Sequence, residues 1–314
     1  MKFTTPINIK PNKTIDHNSR ILMLGSCFTE NIGKKLIESG FNVVMNPMGI
    51  LYNPISIYTA LERIIDGREF TEDNLFFHNG LWASFMHHGS FSHSDKNEAL
   101  RMMNERLDEG HEQLKNATHL IITFGSAEVY EILDSQYFTS ATTQHIVSNC
   151  HKLPSRNFAT RLLSIDEITT PYTQLSNLNS QLSTLFTISP VRYLGKGAHS
   201  GQINKSTLLL ATDQICREIT ADYFPAYEIM MDELRDYRYY AADMIHPSEI
   251  AVDYIFERFT ETYLTSEAIR TANEIQKIKK SLSHRPLHPD SEEYKTFQKK
   301  LLEQIDALTK KYPL

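Results

Sequence analysis

The sequence predicts an α/β protein with a mainly parallel sheet of about five strands, and three observations carry that prediction. Short apolar runs end at glycine or proline, helical periodicities lie between them, and the intervening stretches are long enough for the crossovers that parallel strands require. The first run, Ile21-Leu22-Met23-Leu24-Gly25, is followed by Cys27 to Ser39, where Phe28, Ile32, Leu36 and Ile37 recur at helical spacing before Gly40. This reads as a strand, a tight turn and a helix closed by glycine. Phe41 to Met45 gives a second strand, and Asn53-Pro54 opens a helix through Ile65, with proline where a missing N–H loses no bond. A charged helix is predicted from Lys96 to Lys115 and a third strand from His119 to Gly125. Thr184 to Arg192 supplies a fourth strand, Leu208 to Tyr223 a helix, and Ala226 to Met231 a short fifth strand. From Pro247, residues Ile250, Ala251, Tyr254, Ile255, Phe259 and Tyr263 trace an amphipathic helix. The charged tail from Ser291 to Lys311 predicts one more helix, packed on the outside.

Composition bounds what such a chain does. Its 314 residues, 41% apolar and 22% charged, fit a globular protein, and no repeat, low-complexity tract or Gly/Ser linker divides it. One α/β domain over residues 1–264, with helical and polar insertions, followed by a C-terminal helical extension over 265–314, is the expected organisation. The 32 basic and 38 acidic residues leave a net charge of −6 and a pI near 6.1, without general attraction for phosphate backbones or anionic lipid. Nucleic acid and membrane are therefore not expected partners. Met1 to Lys10 holds no signal-type apolar run, and Cys27, Cys150 and Cys216 are odd in number and far apart, so a soluble protein of the reducing cytoplasm is expected.

Chemistry in a parallel sheet gathers beyond the carboxyl ends of its strands. Ser26 stands there, between the first strand and its helix, where helix amides favour developing negative charge. It suits a nucleophile, and it equally suits a helix N-cap. Far along the chain lies Asp243-Met244-Ile245-His246-Pro247, in which a carboxylate three residues before an imidazole can fix its tautomer and stabilise its cation. A surface hydrogen bond is the plainer alternative.

Gly25-Ser26-Cys27-Phe28 and Asp243-Met244-Ile245-His246-Pro247 resemble the GSCFA family of bacterial proteins, related to the SGNH (GDSL-like) hydrolases. Matching segments lie between them: Asn46 to Pro54, Gly125 to Tyr130, Asn149-Cys150-His151-Lys152, Ser189-Pro190-Val191-Arg192 and Tyr223 to Glu228, followed by Asp232 to Arg238. The resemblance spans roughly Ile21 to Phe259. It implies a three-layer flavodoxin-like sandwich, Ser26 as nucleophile, and Asp243 with His246 as its activator. It also implies an oxyanion hole built from the serine amide, a glycine after the second strand and an asparagine after the third. Gly49 fits the glycine by position. Gly125-Ser126-Ala127-Glu128 lacks the asparagine, leaving Ser126, Asn53 and Asn149 as possible substitutes. Against the family's own pattern, Tyr193 and Lys196-Gly197 replace a histidine and an Asp-Gly, and Thr29 stands where alanine is usual.

The implied reaction is hydrolysis of an acyl, acetyl-like, ester of a carbohydrate or small molecule, needing neither cofactor nor metal. Carbohydrate O-acyl transfer through the same acyl-enzyme, and a non-catalytic binding module on a decayed hydrolase fold, are the alternatives. Arg192 is a candidate for binding an acidic substrate or for a salt bridge, and Glu128 for orienting a pocket group or capping a following helix. His87, His88 and His93 are expected in a polar insertion lining the cleft, and Asn149 to His151 in a structural turn. Tyr227, Tyr237, Tyr239 and Tyr240 are expected to pack the core and its rim, the alternative being a platform for a sugar. Cys27 is expected to turn away from Ser26 toward the first helix, because successive side chains at a strand end point oppositely.

Overall fold

The computed structural model describes residues 5–133, 146–177, 182–283 and 291–311. In chain order the elements are β1 (Arg20–Gly25), α1 (Cys27–Glu38), β2 (Asn42–Met45), α2 (Pro54–Asp66), β3 (Phe76–His78), β4 (Leu81–Ala83) and α3 (Lys96–Lys115). There follow β5 (His119–Phe124), β6 (Glu128–Ile132), β7 (Ile146–Val147), β8 (Phe158–Leu162), α4 (Ile165–Thr173), β9 (Ser183–Ile188), α5 (Ala198–Ile219) and β10 (Asp222–Phe224). The last are α6 (Ala226–Glu228), α7 (Glu249–Tyr263), α8 (Ser266–Ser283) and α9 (Glu292–Lys311). Five parallel strands form the central sheet in the order β10-β9-β5-β1-β2.

Alternation along the strands makes this a three-layer sandwich. Leu22 and Leu24 of β1, with Leu120, Ile122 and Phe124 of β5, face a core shared with α2, α3 and α5, into which Ile57, Leu61, Met103, Leu107 and Leu208 project. Ile21, Met23 and Ile121 face the other way, onto Phe28 and Ile32 of α1 and Ile255 and Phe259 of α7. Both faces are buried, so the strands read as unbroken apolar runs instead of an alternating pattern. β1 lies between β2 and β5, which puts the topological switch point, where such sheets bind ligands, at the ends of β1 and β5. Gly25 ends β1 there with φ +141°, and a Cβ on it would stand 2.2 Å from the Thr123 carbonyl oxygen. Only glycine fits.

Some elements differ from their sequence reading. Helix α5 begins at Ala198, ten residues before Leu208, because its first turns bury Gly201, Asn204 and Lys205 in place of an apolar stripe. Ala226–Met231 is not a strand. Asp222–Phe224 supplies the fifth strand, and after Pro225 the chain coils into α6 and a π turn at Ile229–Glu233; an apolar run this short satisfies either period. The fourth strand stops at Ile188, ahead of Ser189-Pro190, where proline removes a ladder donor. The β3–β4 hairpin, the antiparallel β7-β6-β8 sheet and helix α4 lacked a periodicity long enough to be read, whereas α8 falls within the helical stretch expected over 265–314. α8 buries Ala268, Thr271, Ala272 and Ile275, and among the described residues of α9 only Leu301 is buried. Among the described residues no helix is long and apolar enough to cross a membrane.

Candidate active site

A cleft of about 450 Å³ opens at the switch point, lined by Ser26 and Cys27 from the β1–α1 turn, by Gly125, Ser126 and Glu128 beyond β5, and by His246. Ser26 is the N-cap of α1: its backbone is extended (φ −72°, ψ 178°) and its Oγ accepts a long 3.4 Å bond from the Phe28 N–H. The N-cap reading of Ser26 is thus met, and because Oγ accepts in the cap bond its hydroxyl proton is not used there. Asn46 fixes the approach by accepting the Gly25 N–H at 2.9 Å. Cys27 also lines the cleft, half-buried, which corrects the expectation that it turns inward. The chain passes from strand to helix between the two residues, so strand alternation does not govern them. Burial raises the Cys27 thiol pKa.

Asp243 and His246 form one compact turn before α7. Asp243 Oδ1 accepts the backbone N–H groups of Ile245 (2.9 Å) and His246 (3.0 Å), while Oδ2 lies 2.6 Å from His246 Nδ1. The His246 hydrogen bond, aided by the two backbone donors, lowers the Asp243 pKa to about 2. An ionised carboxylate only accepts, so Nδ1 carries the proton and Nε2 is left as the acceptor. Met244 at the tip has φ +58°, a left-handed conformation unusual for methionine, and Ala241 closes the turn by donating to the His246 carbonyl at 2.7 Å. Among the described residues Ser26 and His246 share the cleft without hydrogen-bonding to each other.

The other predicted residues separate. Gly49 is not in the cleft wall, and its N–H already donates to the Asn46 carbonyl at 2.8 Å, so the oxyanion role read from its position is corrected. Its φ of +78° and the His88 Cβ, 2.4 Å from where its own Cβ would lie, account for the glycine. Gly125 and Ser126 spend their N–H groups on the Tyr52 carbonyl (2.8 and 3.0 Å). Ser126 Oγ accepts from Asn204 Nδ2 and from the Glu128 N–H. Asn53 lines the cleft but caps α2, its Oδ1 accepting from the Ser56 N–H and its Nδ2 donating to Ser56 Oγ. Asn149 Oδ1 accepts the His151 N–H at 2.7 Å, and its Nδ2, among the described residues, has no protein partner in the same cleft.

Glu128 opens strand β6, so it caps no helix; its nearly buried carboxylate accepts from Tyr193 Oη at 2.9 Å and pairs with Lys196 at 2.7 Å. Two of the three departures from the family pattern, Tyr193 and Lys196, therefore converge on one carboxylate at the cleft wall. Arg192 has no carboxylate within 4 Å among the described residues. Its N–H donates to the Ile245 carbonyl (3.0 Å), its Nη1 to the Met244 carbonyl (3.2 Å), and its guanidinium lies over Tyr237 and Tyr240. The salt-bridge reading gives way to a clamp on the Asp243–His246 turn.

The histidine cluster does not line the cleft, correcting its expected place. His87 is fully buried between Phe70 and Phe91, and burial lowers its pKa to about 3. His88 caps a short turn through the Ser90 N–H, and His93 accepts from the Asp95 N–H. Among the described residues no three His, Cys, Asp or Glu side chains are grouped to hold a metal. Asn149 to Lys152 is a turn, with His151 and Lys152 at positive φ and His151 Nε2 2.8 Å from the Ser84 carbonyl.

The sequence reading missed Lys205. Its buried Nζ donates to the carbonyls of Gly125 (2.9 Å) and Ser189 (2.8 Å), tying the ends of β5 and β9 together, and desolvation lowers its pKa to about 7. Asn204 beside it holds Ala127 through Oδ1. Their signal was two polar residues on the buried stripe of a helix, hidden because the helix was read as starting at Leu208.

The GSCFA family profile matches residues 20–259, and the profile described as GSCFA domain protein, C-terminal domain, matches residues 275–314. A comparison with curated proteins returned no match. Among solved structures, a candidate SGNH hydrolase from Slackia heliotrinireducens is similar at 15% identity and a TM-score of 0.40, covering 78% of this chain and 98% of that one.

Proposed function

We propose that this chain, which belongs to the GSCFA family, is a serine esterase acting on an acyl ester of a carbohydrate or small molecule. The observation that carries the reading is His246, held by Asp243 at 2.6 Å and lining the same cleft as Ser26, the residue that caps a helix at the sheet's switch point. His246 Nε2 takes the Ser26 hydroxyl proton as Oγ attacks the ester carbonyl carbon. Collapse of the tetrahedral intermediate expels the alcohol, which receives that proton from His246, and water then repeats the sequence to release the acid. Asp243 orients the imidazole and stabilises its cation without taking the proton.

The Ser26 N–H, expected as a donor, points instead to the Thr123 carbonyl at 3.4 Å, so the oxyanion donors in this reading are the Cys27 N–H at the start of α1, where first-turn amides lack helical partners, and Asn149 Nδ2. Asn149 replaces the asparagine missing after β5, and Gly49 drops out. Acyl transfer to a sugar hydroxyl shares every step up to the acyl-enzyme. A screen of p-nitrophenyl acyl esters, with and without a sugar acceptor, separates the readings. Release of nitrophenol with free acid supports the hydrolase, acylated sugar supports the transferase, and binding of acetylated sugars without turnover supports a non-catalytic module.

A further inference from the structure

Next to the cleft lies a second cavity of about 250 Å³, and the segment Arg192-Tyr193-Leu194 lines both. Tyr227, Tyr237 and Tyr240 form its aromatic wall. Its cations are in unequal states. Arg235 is paired with Asp232, and Lys205 Nζ is held by two carbonyls. Arg192 has no carboxylate partner among the described residues, and its guanidinium lies 5.7 and 5.2 Å from the centroids of Tyr237 and Tyr240. The carboxylate in the wall, Asp236, is itself engaged by the Arg238 N–H and faces the Arg238 Nε at 3.6 Å.

A guanidinium held over aromatic faces keeps its N–H edge for planar oxyanions, which it binds bidentately. One Nη1 bond goes to Met244, leaving Nε and Nη2 without a protein acceptor among the described residues. We propose that this tyrosine-walled cavity is a subsite for an oxyanion, carboxylate or phosphate, carried on the alcohol part of the substrate, with Arg192 as the recognising residue. The proposal deepens the esterase reading, and it assigns the substrate class as an acyl ester of an acidic or phosphorylated sugar or of a similar small hydroxy compound. Because the Arg192 guanidinium also holds the Met244 carbonyl, the group that selects the substrate also supports the turn carrying His246.

Direct binding tests this without requiring turnover. Calorimetry on the folded wild-type chain with glucuronate, glucose 6-phosphate and glucose is expected to show binding of one or both anions, weakened by salt, and at least about tenfold weaker binding of glucose. Which anion binds more tightly separates carboxylate from phosphate. Arg192→Gln is expected to lose about tenfold or more in anion affinity, and Arg192→Lys to recover only part of it. Should Arg192→Gln fail to fold, Tyr237→Leu, exposed and lining only this cavity, is expected to weaken the anion alone. Tyr130→Ala, lining only the other cleft, leaves anion binding unchanged. Equal affinity for glucose and both anions, no binding of either anion, or wild-type anion affinity in the folded Arg192 and Tyr237 variants overturns the subsite. None of these results bears on whether Ser26 forms an acyl-enzyme.

Discussion

At the residue scale, the proposed chemistry depends on a few atoms whose hydrogen-bond partners are defined. Both Asp243 oxygens are engaged, one by two backbone N–H groups and one by the imidazole. Asp243→Asn is therefore expected to keep the turn and lower kcat by about 10³-fold or more, since an amide can favour the wrong tautomer. Steady-state kinetics beside a circular dichroism spectrum check it, and near-normal turnover would make the bridge structural. Asn149→Ala is expected to lower kcat by about 10²-fold with little change in KM, the signature of a donor used in the transition state. Lys205 makes a prediction in pH. Burial moves its pKa from 10.5 down to about 7, so between those values the unfolded chain binds a proton that the folded chain has released. Stability therefore rises with pH across that window, and the contribution is absent below about pH 7, where both states are protonated. Urea denaturation at pH 7.5 and 9.5 is expected to show this rise in the wild type and a smaller one in Lys205→Met.

At the scale of elements, the legible parts of the chain were those with a clean period. β1, α1, α2, α3, β5 and α7 stand within a few residues of their sequence reading, because each buries a strip of Ile, Leu, Met or Phe. The start of α5 and the strand β10 were illegible for opposite reasons, one carrying Asn204 and Lys205 on its buried face and the other being three residues long beside an apolar run that coils. The site was legible where its residues are neighbours in sequence, as Asp243 and His246 are. It was illegible where a backbone amide decides the role, since no pattern in the sequence tells that the Gly49 N–H is spent on Asn46 while Asn149 Nδ2 is free of protein partners among the described residues. The turn after β1 makes an element-level prediction. Gly25→Ala forces a Cβ against the Thr123 carbonyl and is expected to cost about 3 kcal/mol or more, whereas Gly80→Ala, also at positive φ but in open space, costs about 1 kcal/mol. Chemical denaturation of both variants measures the difference.

For the whole molecule, the organising fact is a sheet whose middle strands end at the cleft while α8 packs into the layer of α1 and α7. α8 shares the apolar layer of α1 and α7 through Ala268 and Ala272, and α9 packs against α8 and buries Leu301. A C-terminal extension beginning at residue 265 remains a proposal, which two truncations test. A chain ending at Ser283 is expected to lose at most about 1 kcal/mol, and one ending at Leu264, which exposes the face covered by α8, about 3 kcal/mol or more. Equal melting temperatures for the two would detach α8 from the core. The central claim concerns Ser26, which stands beside a cleft-lining thiol that is intrinsically the better nucleophile but is kept protonated by burial. Treating the wild type, Ser26→Ala and Cys27→Ala with a fluorophosphonate, then reading intact mass and mapping the modified peptide, tests it most directly. The account predicts one adduct on Ser26 in the wild type and in Cys27→Ala, and none in folded Ser26→Ala; an adduct that survives Ser26→Ala, or an unmodified wild type, contradicts it.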